Sequence, residues 1–469
     1  MLLNRLKENK YVNLINQIIN SKSFMAFIVL LALLSNLLGI ELYVYTIYAL
    51  IVVITALFGR DFLHTLPIAV VSYMTFSKSN NPRGPDGSSI FFERNVIVYF
   101  VIICIIIGSF ALARIIYDFK VHKERRKFPK LALGFIILGY SFVHGGSYSV
   151  DYEFKTSLFG FVEILAISFT YFIFYYTVDF KKVNKDYWAE LFTLVAIMMI
   201  FEIGYILIEN EAYDLSKVFN REVIWTGWGF YNNIGGIAIM CLPAPFYLAI
   251  KKNNGWVYCL IGHFLMLAIG VVMSRNAMMF GFIFYVILLF LVGIFSKGRN
   301  RINNLIVYIV NLTMVAIVFS FRFDLFENIF SSVLDSGTND SGRIKIYIAA
   351  FEQFKTNPLF GVGFYECEAY QWGVYNEGSF LPARYHSTIM QLLASTGLVG
   401  FIAYLYHRFE TLKVLVKNFN ISKLFIFLSI LVFLISSLFD SFFFNFGPGL
   451  IYSGLLLFLE KQDDLLESA

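Results

Sequence analysis

His386 stands between Tyr385 and Ser387, two residues after Arg384, where a polar stretch meets an apolar run. A neutral imidazole there can take a proton from a hydroxyl as a general base, or serve as a hydrogen-bonded residue of a water–membrane boundary. Upstream, the stretch 341–356 repeats Ile344, Tyr347, Ile348, Phe351 and Phe354 at helical spacing, and predicts an amphipathic helix. Asp340 or Ser341 can cap its start, and Asn357-Pro358 stops it. Arg343 and Lys345 fall in the first turn of that helix. A cation there opposes the helix dipole, so Arg343 is either a solvated surface residue or joins the free amides in holding an anion such as phosphate. Arg275 lies in Ser274-Arg275-Asn276, which joins two apolar runs with almost no loop. Pro358 to Phe364 is a glycine-rich turn where backbone could approach a ligand, but it lacks the strand and helix of a nucleotide fingerprint. The segment around 209–231 supplies Arg221, Trp225, Trp228 and Tyr231, followed by Asn232 and Asn233. That mixture suits stacking on sugar rings, and an aromatic belt explains its tryptophans equally well.

The elements that must position these residues follow from composition. Of 469 residues, 58% are hydrophobic and 15% charged, with a mean hydropathy of +0.69. Soluble domains are about 45–50% apolar and about 25% charged. The apolar residues lie in runs of roughly 17–24, the length that crosses a bilayer core, and each must be helical to satisfy its own backbone. The expectation is a single all-α polytopic membrane domain over 1–469 with about fourteen transmembrane helices. The third run, with His64 and Pro67, and the last, with Gly447-Pro448-Gly449, are the weakest. The basic run Lys120, Lys123, Arg125, Arg126, Lys127 and Lys130 sets that loop, and with it both termini, on the cytoplasmic side. On the same count, 322–386 becomes a large extracytoplasmic loop holding the amphipathic helix, and 209–231 a smaller one. Loops as long as 322–386 are usually functional.

Other classes are excluded. The net charge of +5 separates into a basic inner face and an acidic outer one, leaving no basic, aromatic-interleaved patch for nucleic acid. Cys104, Cys241 and Cys259 fall within spans and Cys367 alone outside, so no disulfide or thiolate metal site is expected. Glu163 and Glu202 sit inside spans as proton-relay residues or as structural partners of Arg114, tyrosine or lysine.

Three pieces of this pattern resemble the bacterial O-antigen ligase and O-antigen polymerase superfamily of membrane glycosyltransferases. Ser274-Arg-Asn-Ala277 is similar to the family's Ser-Arg-x-Ala. Arg343-Ile-Lys-Ile-Tyr347 with Asn357-Pro-Leu-Phe-Gly-Val-Gly-Phe364 is similar to its Arg-x-x-x-Trp and Asn-Pro-Leu-x-Gly-x-Gly. His386-Ser387 with Gly397-Leu-Val-Gly400 is similar to its His-Asn and Gly-Leu-x-Gly. The likeness covers roughly residues 225–406. Tyr347 replaces the usual tryptophan, Ser387 the asparagine, and Ala394-Ser395 an acidic residue.

The resemblance implies a GT-C-like bundle in the bacterial cytoplasmic (inner) membrane with an extracytoplasmic active site. It implies an inverting, metal-independent glycosyltransferase that polymerises oligosaccharide repeat units on undecaprenyl pyrophosphate into a capsule or O-antigen chain. Arg275 and Arg343 would bind the pyrophosphate, and His386 would orient or deprotonate the acceptor hydroxyl. Arg221, Arg384, Tyr385, Trp225, Trp228, Lys345 and Tyr347 are the expected substrate-binding residues. No cofactor is implied. The implied partners are lipid-linked donor and acceptor, the bilayer and other polysaccharide-assembly proteins. Two alternatives stand beside it: a ligase passing glycan to a lipid A core or a protein, and a flippase of lipid-linked oligosaccharide.

Overall fold

A computed structural model describes residues 10–76, 94–122, 127–149, 154–209, 224–272, 274–321, 343–364 and 385–465. In chain order the α-helices are α1 (Lys10–Ile19), α2 (Lys22–Leu38), α3 (Glu41–Phe58), α4 (Leu66–Val71), α5 (Arg94–Val121) and α6 (Ala132–Val143). They continue with α7 (Phe154–Thr177), α8 (Tyr187–Glu209), α9 (Tyr231–Cys241), α10 (Pro243–Lys251), α11 (Gly255–Val272) and α12 (Arg275–Phe295). The chain ends with α13 (Gly298–Phe321), α14 (Arg343–Thr356), α15 (Thr388–Val416), α16 (Ile421–Phe439) and α17 (Phe446–Lys461). One two-residue hairpin, pairing Trp225 with Phe230, precedes α9.

The protein is an all-α polytopic membrane protein. Among the described residues nine helices are long and apolar enough to cross a bilayer, and α9 with α10 counts as one of them. A tenth is the pair α1–α2, bent by 63°. The other expected spans are helical but short or polar. Segments 63–75 and 132–143 are shorter, α17 has 16 residues, and α13 carries Arg299, Arg301 and several asparagines. Among the described residues, length and composition thus support nine or ten of the expected fourteen spans.

Local sequence sets the helix limits. Ser21 Oγ accepts the Phe24 amide at 3.1 Å and Gly39 closes α2 in the left-handed region. Asn420 Oδ1 accepts the Lys423 amide at 3.0 Å at the head of α16. Gly447-Pro448-Gly449, which made the last run weak, forms the first turn of α17, where proline costs no hydrogen bond. Helix α17 is apolar all round and buried from Leu450 through Leu459, the pattern of a central helix. It lies along α7. Its Glu460 accepts the Lys130 and Leu131 amides and the Tyr171 hydroxyl at 2.8, 3.3 and 2.6 Å. Helices α5 and α13 instead expose rows of Val, Ile, Leu and Met, as lipid-facing helices do.

Arg114 and Glu202, two of the charges within spans, have partners inside the bundle. Arg114 pairs with Asp118 at 2.7 Å and donates to the Gly59 carbonyl at 2.7 Å. Glu202 accepts Asn36 at 2.5 Å and the Trp228 indole at 3.0 and 3.1 Å. Cys104 is exposed, and Cys241 and Cys259 are buried and free.

Candidate active site

The glycine-rich turn 357–364 approaches another stretch of backbone. Val362 and Gly363 donate to the carbonyls of Ala394 and Ser395 at 2.8 and 3.0 Å, while Leu398 and Val399 donate back to Pro358 and Leu359 at 2.9 and 3.1 Å. These bonds grip α15 at a break in its helical geometry, where Gly397 adopts φ 61, ψ −158, a region essentially reserved for glycine. A Cβ on Gly397 would stand 2.4 Å from the Leu359 backbone, and one on Gly361 2.4 Å from the Ala394 carbonyl. The turn thus fixes the first segment of α15 and, at its head, His386.

Helix α14 braces that head from the side. The periodicity placed Ile344, Tyr347, Ile348, Phe351 and Phe354 on one stripe, but the buried face is Ile346, Ala349 and Ala350. Ile346 and Ala350 pack with Tyr385 and Ala394. Small alanines let the helix approach closely, and Ile344, Ile348 and Phe351 are left exposed. Tyr347 extends its hydroxyl to the His386 carbonyl at 3.1 Å. Burial, outweighing the lowering effect of Arg343 and aided by Asp440, raises the Tyr347 phenol above its ordinary value, so it remains a donor. His386 is held at φ 51, a left-handed backbone that histidine tolerates better than most residues but at a cost of order 1–3 kcal/mol.

Everything converges on the end of α16. His386 Nδ1 lies 3.3 Å from Asp440 Oδ1. Arg343 Nη1 donates to the Phe439 carbonyl at 2.8 Å, and Asn276 Nδ2 reaches the same oxygen at 3.5 Å. A helix C-terminus offers unsatisfied carbonyls and the negative end of its dipole, so it attracts these donors. Beside Asn276, Arg275 opens α12, whose N-cap Ser274 makes no capping bond. The Ser274 hydroxyl donates to Asn232 Oδ1 at 3.0 Å instead. The first-turn amides of α12 and the Arg275 guanidinium therefore share one helix end, an arrangement that favours an anion. Three sequence pieces, spread over more than a hundred residues from Arg275 to His386, meet around the dipeptide Phe439-Asp440.

The remaining expected site residues divide. Lys345 is exposed on the first turn of α14. Tyr385, expected to touch substrate, is fully buried and packs against Ile346 and Ala350 of α14. Trp228 is also buried, at 2% exposure, with its indole N–H on Glu202. It pins the hairpin to the bundle. Trp225 begins the hairpin. Arg221 and Arg384 lie outside the described residues.

Asp440 escaped the sequence reading, although a signal was present. It is a lone carboxylate closing the apolar run 424–439, followed by Ser441 and three phenylalanines. Its Oδ1 also accepts the Ser441 amide at 2.7 Å, which fixes the carboxylate in place. Among the described residues no group of three or more His, Cys, Asp or Glu side chains is arranged to hold a metal ion.

Residues 261–405 match the O-antigen ligase family model. The match takes in Ser274 to Ala277, helix α14, the glycine-rich turn and His386. Over those residues it supports a likeness to the O-antigen ligase and polymerase superfamily, and it indicates ligase- or polymerase-type activity. No curated protein matches the chain.

Proposed function

We propose that the protein transfers a glycan from an undecaprenyl-pyrophosphate carrier to a sugar hydroxyl on the outer face of the bacterial cytoplasmic membrane, and that it polymerises repeat units. The observation that carries this reading is the meeting of Arg343, the Arg275 helix end and the His386–Asp440 pair on one helix terminus.

In this mechanism an ionised Asp440, able only to accept, keeps a proton on His386 Nδ1 and leaves the Nε2 lone pair to face the acceptor. The acceptor oxygen bonds to the anomeric carbon as the bond from that carbon to the pyrophosphate oxygen breaks. The electron pair of that bond leaves with the pyrophosphate, and the hydroxyl proton passes to Nε2. One displacement inverts the anomeric configuration. Charge grows on the departing pyrophosphate, where the Arg343 fork and Arg275, with the α12 amides, stabilise it more than they stabilise the ground state. The 3.3 Å separation of His386 and Asp440 exceeds the roughly 2.7–2.9 Å of a closed charge-assisted bond, and substrate binding is expected to tighten it. Lys345, Arg384 and Arg221 are assigned to the donor's charged or sugar portions, and Trp225 to the glycan. The charge asymmetry of the sequence is what supports the extracytoplasmic side of the site and the cytoplasmic termini.

A ligase, passing finished glycan to a lipid A core or a protein, has the description of the matched family in its favour. Deleting the gene separates the two. Under polymerisation single repeat units accumulate, and His386→Ala, Arg275→Ala and Arg343→Ala fail to restore chain length although each protein is present. Full-length polymer still on its carrier after deletion would establish ligation, and normal chains in all three mutants would overturn the site.

A further inference from the structure

Helices α11 and α12 meet at Arg275 beside the candidate site, so their other ends, Gly255 and Phe295, lie at the opposite end of the bundle. Two cavities of similar size sit at that end. The first, about 650 Å³, is lined by Lys22, Arg60, Lys182, Asp61, Asp179 and Glu190 among others. It neutralises itself: Lys22 is 2.6 Å from Glu190 and Lys182 is 2.9 Å from Asp179. The second, about 700 Å³, is lined by Lys251, Lys252, Lys297 and Arg299, and no carboxylate belongs to its lining. Lys252 is committed elsewhere, to Asp186 and Glu190 at 2.6 and 3.1 Å. Lys297 and Arg299 are exposed, with no carboxylate within ion-pair distance among the described residues. They flank Gly298, where α13 begins at φ 52, and the positive end of that 24-residue helix adds to their field. Ile250, Phe295 and Ile421 complete the wall.

A general bias of lysine and arginine toward one membrane face explains cations at this end. It does not explain why one concavity is balanced and its neighbour has cations alone. We propose that the second cavity binds the phosphate headgroup of an anionic glycerophospholipid, with its acyl chains running over Ile250, Phe295 and Ile421. The apolar wall, at the ends of three membrane helices, favours a lipid over a free phosphate. This site is independent of glycan transfer.

The test uses the full-length protein purified in neutral detergent, with phosphatidylglycerol titrated in and bound lipid counted by native mass spectrometry. Phosphatidylcholine and inorganic phosphate serve as parallel probes. Near a membrane surface each cation contributes about a five-fold gain in binding, so Lys297→Gln with Arg299→Gln should weaken phosphatidylglycerol roughly 25-fold. Lys181→Gln, outside the cavity, should leave it unchanged. Equal binding by wild type and the double variant, equal binding of phosphatidylcholine, or displacement by inorganic phosphate would each overturn the proposal. Should the double variant fold poorly, a photoactivatable phosphatidylglycerol on wild type decides: crosslinks within 295–300 and 250–253 support the site, and crosslinks only elsewhere contradict it.

Discussion

The imidazole Nδ1 of His386 lies 3.3 Å from Oδ1 of Asp440, across 54 residues of sequence. The pair joins the head of α15 to the tail of α16, and it explains why a histidine at φ 51 is held in one orientation. Removing His386 should lower transfer by about 10²–10⁴-fold, the usual worth of a general base. Asp440→Asn keeps the shape but can donate to Nδ1 and favour the wrong tautomer. It should cost at least about tenfold in turnover with little change in donor affinity. Turnover and half-saturation measured separately check this. A loss confined to donor affinity would place Asp440 in binding rather than in orienting the histidine.

Arg343 is expected to act through charge and through its fork. Arg343→Ala should reduce transfer by roughly 10²–10³-fold, and Arg343→Lys should recover only part of that, because an ammonium cannot make the bidentate contact. Titration with a non-transferable lipid pyrophosphate checks the assignment: both variants should bind it more weakly than wild type. Unaltered binding would leave Arg343 as a mere brace on the Phe439 carbonyl.

Tyr347→Phe removes one hydrogen bond to the His386 carbonyl, worth about 0.5–1.5 kcal/mol. With its phenol raised by burial, Tyr347 is neutral throughout the range from about pH 6 to about pH 9. The few-fold loss expected in Tyr347→Phe should therefore be the same across that range. A loss that grows with pH would mean that the phenol ionises in catalysis.

Gly397→Ala should be more damaging than its small size suggests. The added methyl must occupy a glycine-only backbone region and a site 2.4 Å from the Leu359 backbone. Loss of several kcal/mol, read as reduced yield or melting temperature in detergent, is expected. Gly108→Ala, with nothing within 4 Å of its added methyl, serves as the control and should be neutral or slightly stabilising.

The helical, membrane-bound character was legible because the bilayer allows only closed backbone hydrogen bonding, and apolar run length reports it directly. The number of spans was less so. Short segments such as 132–143 and the bent pair α1–α2 carry as much apolar character as full spans but differ in length and geometry, which hydropathy does not encode. Arg275, Arg343 and His386 were visible as polar exceptions at run boundaries. The face of α14 was not, because a membrane-edge helix can expose Ile344, Ile348 and Phe351 and bury alanines, reversing the rule of water-soluble helices. Tyr385 and Trp228 carried the same ambiguity: an aromatic with a polar tip suits a sugar or a buried hydrogen bond. Asp440 was hidden for a simpler cause, since its role depends on a contact 54 residues away.

The most direct test places purified protein in proteoliposomes with an undecaprenyl-pyrophosphate-linked oligosaccharide accessible to the site, and resolves the products by size. The account predicts a ladder of multiples of the repeat unit with wild type, and unextended substrate with His386→Ala. Substrate that crosses the bilayer without any change in glycan length would contradict it and establish a flippase instead.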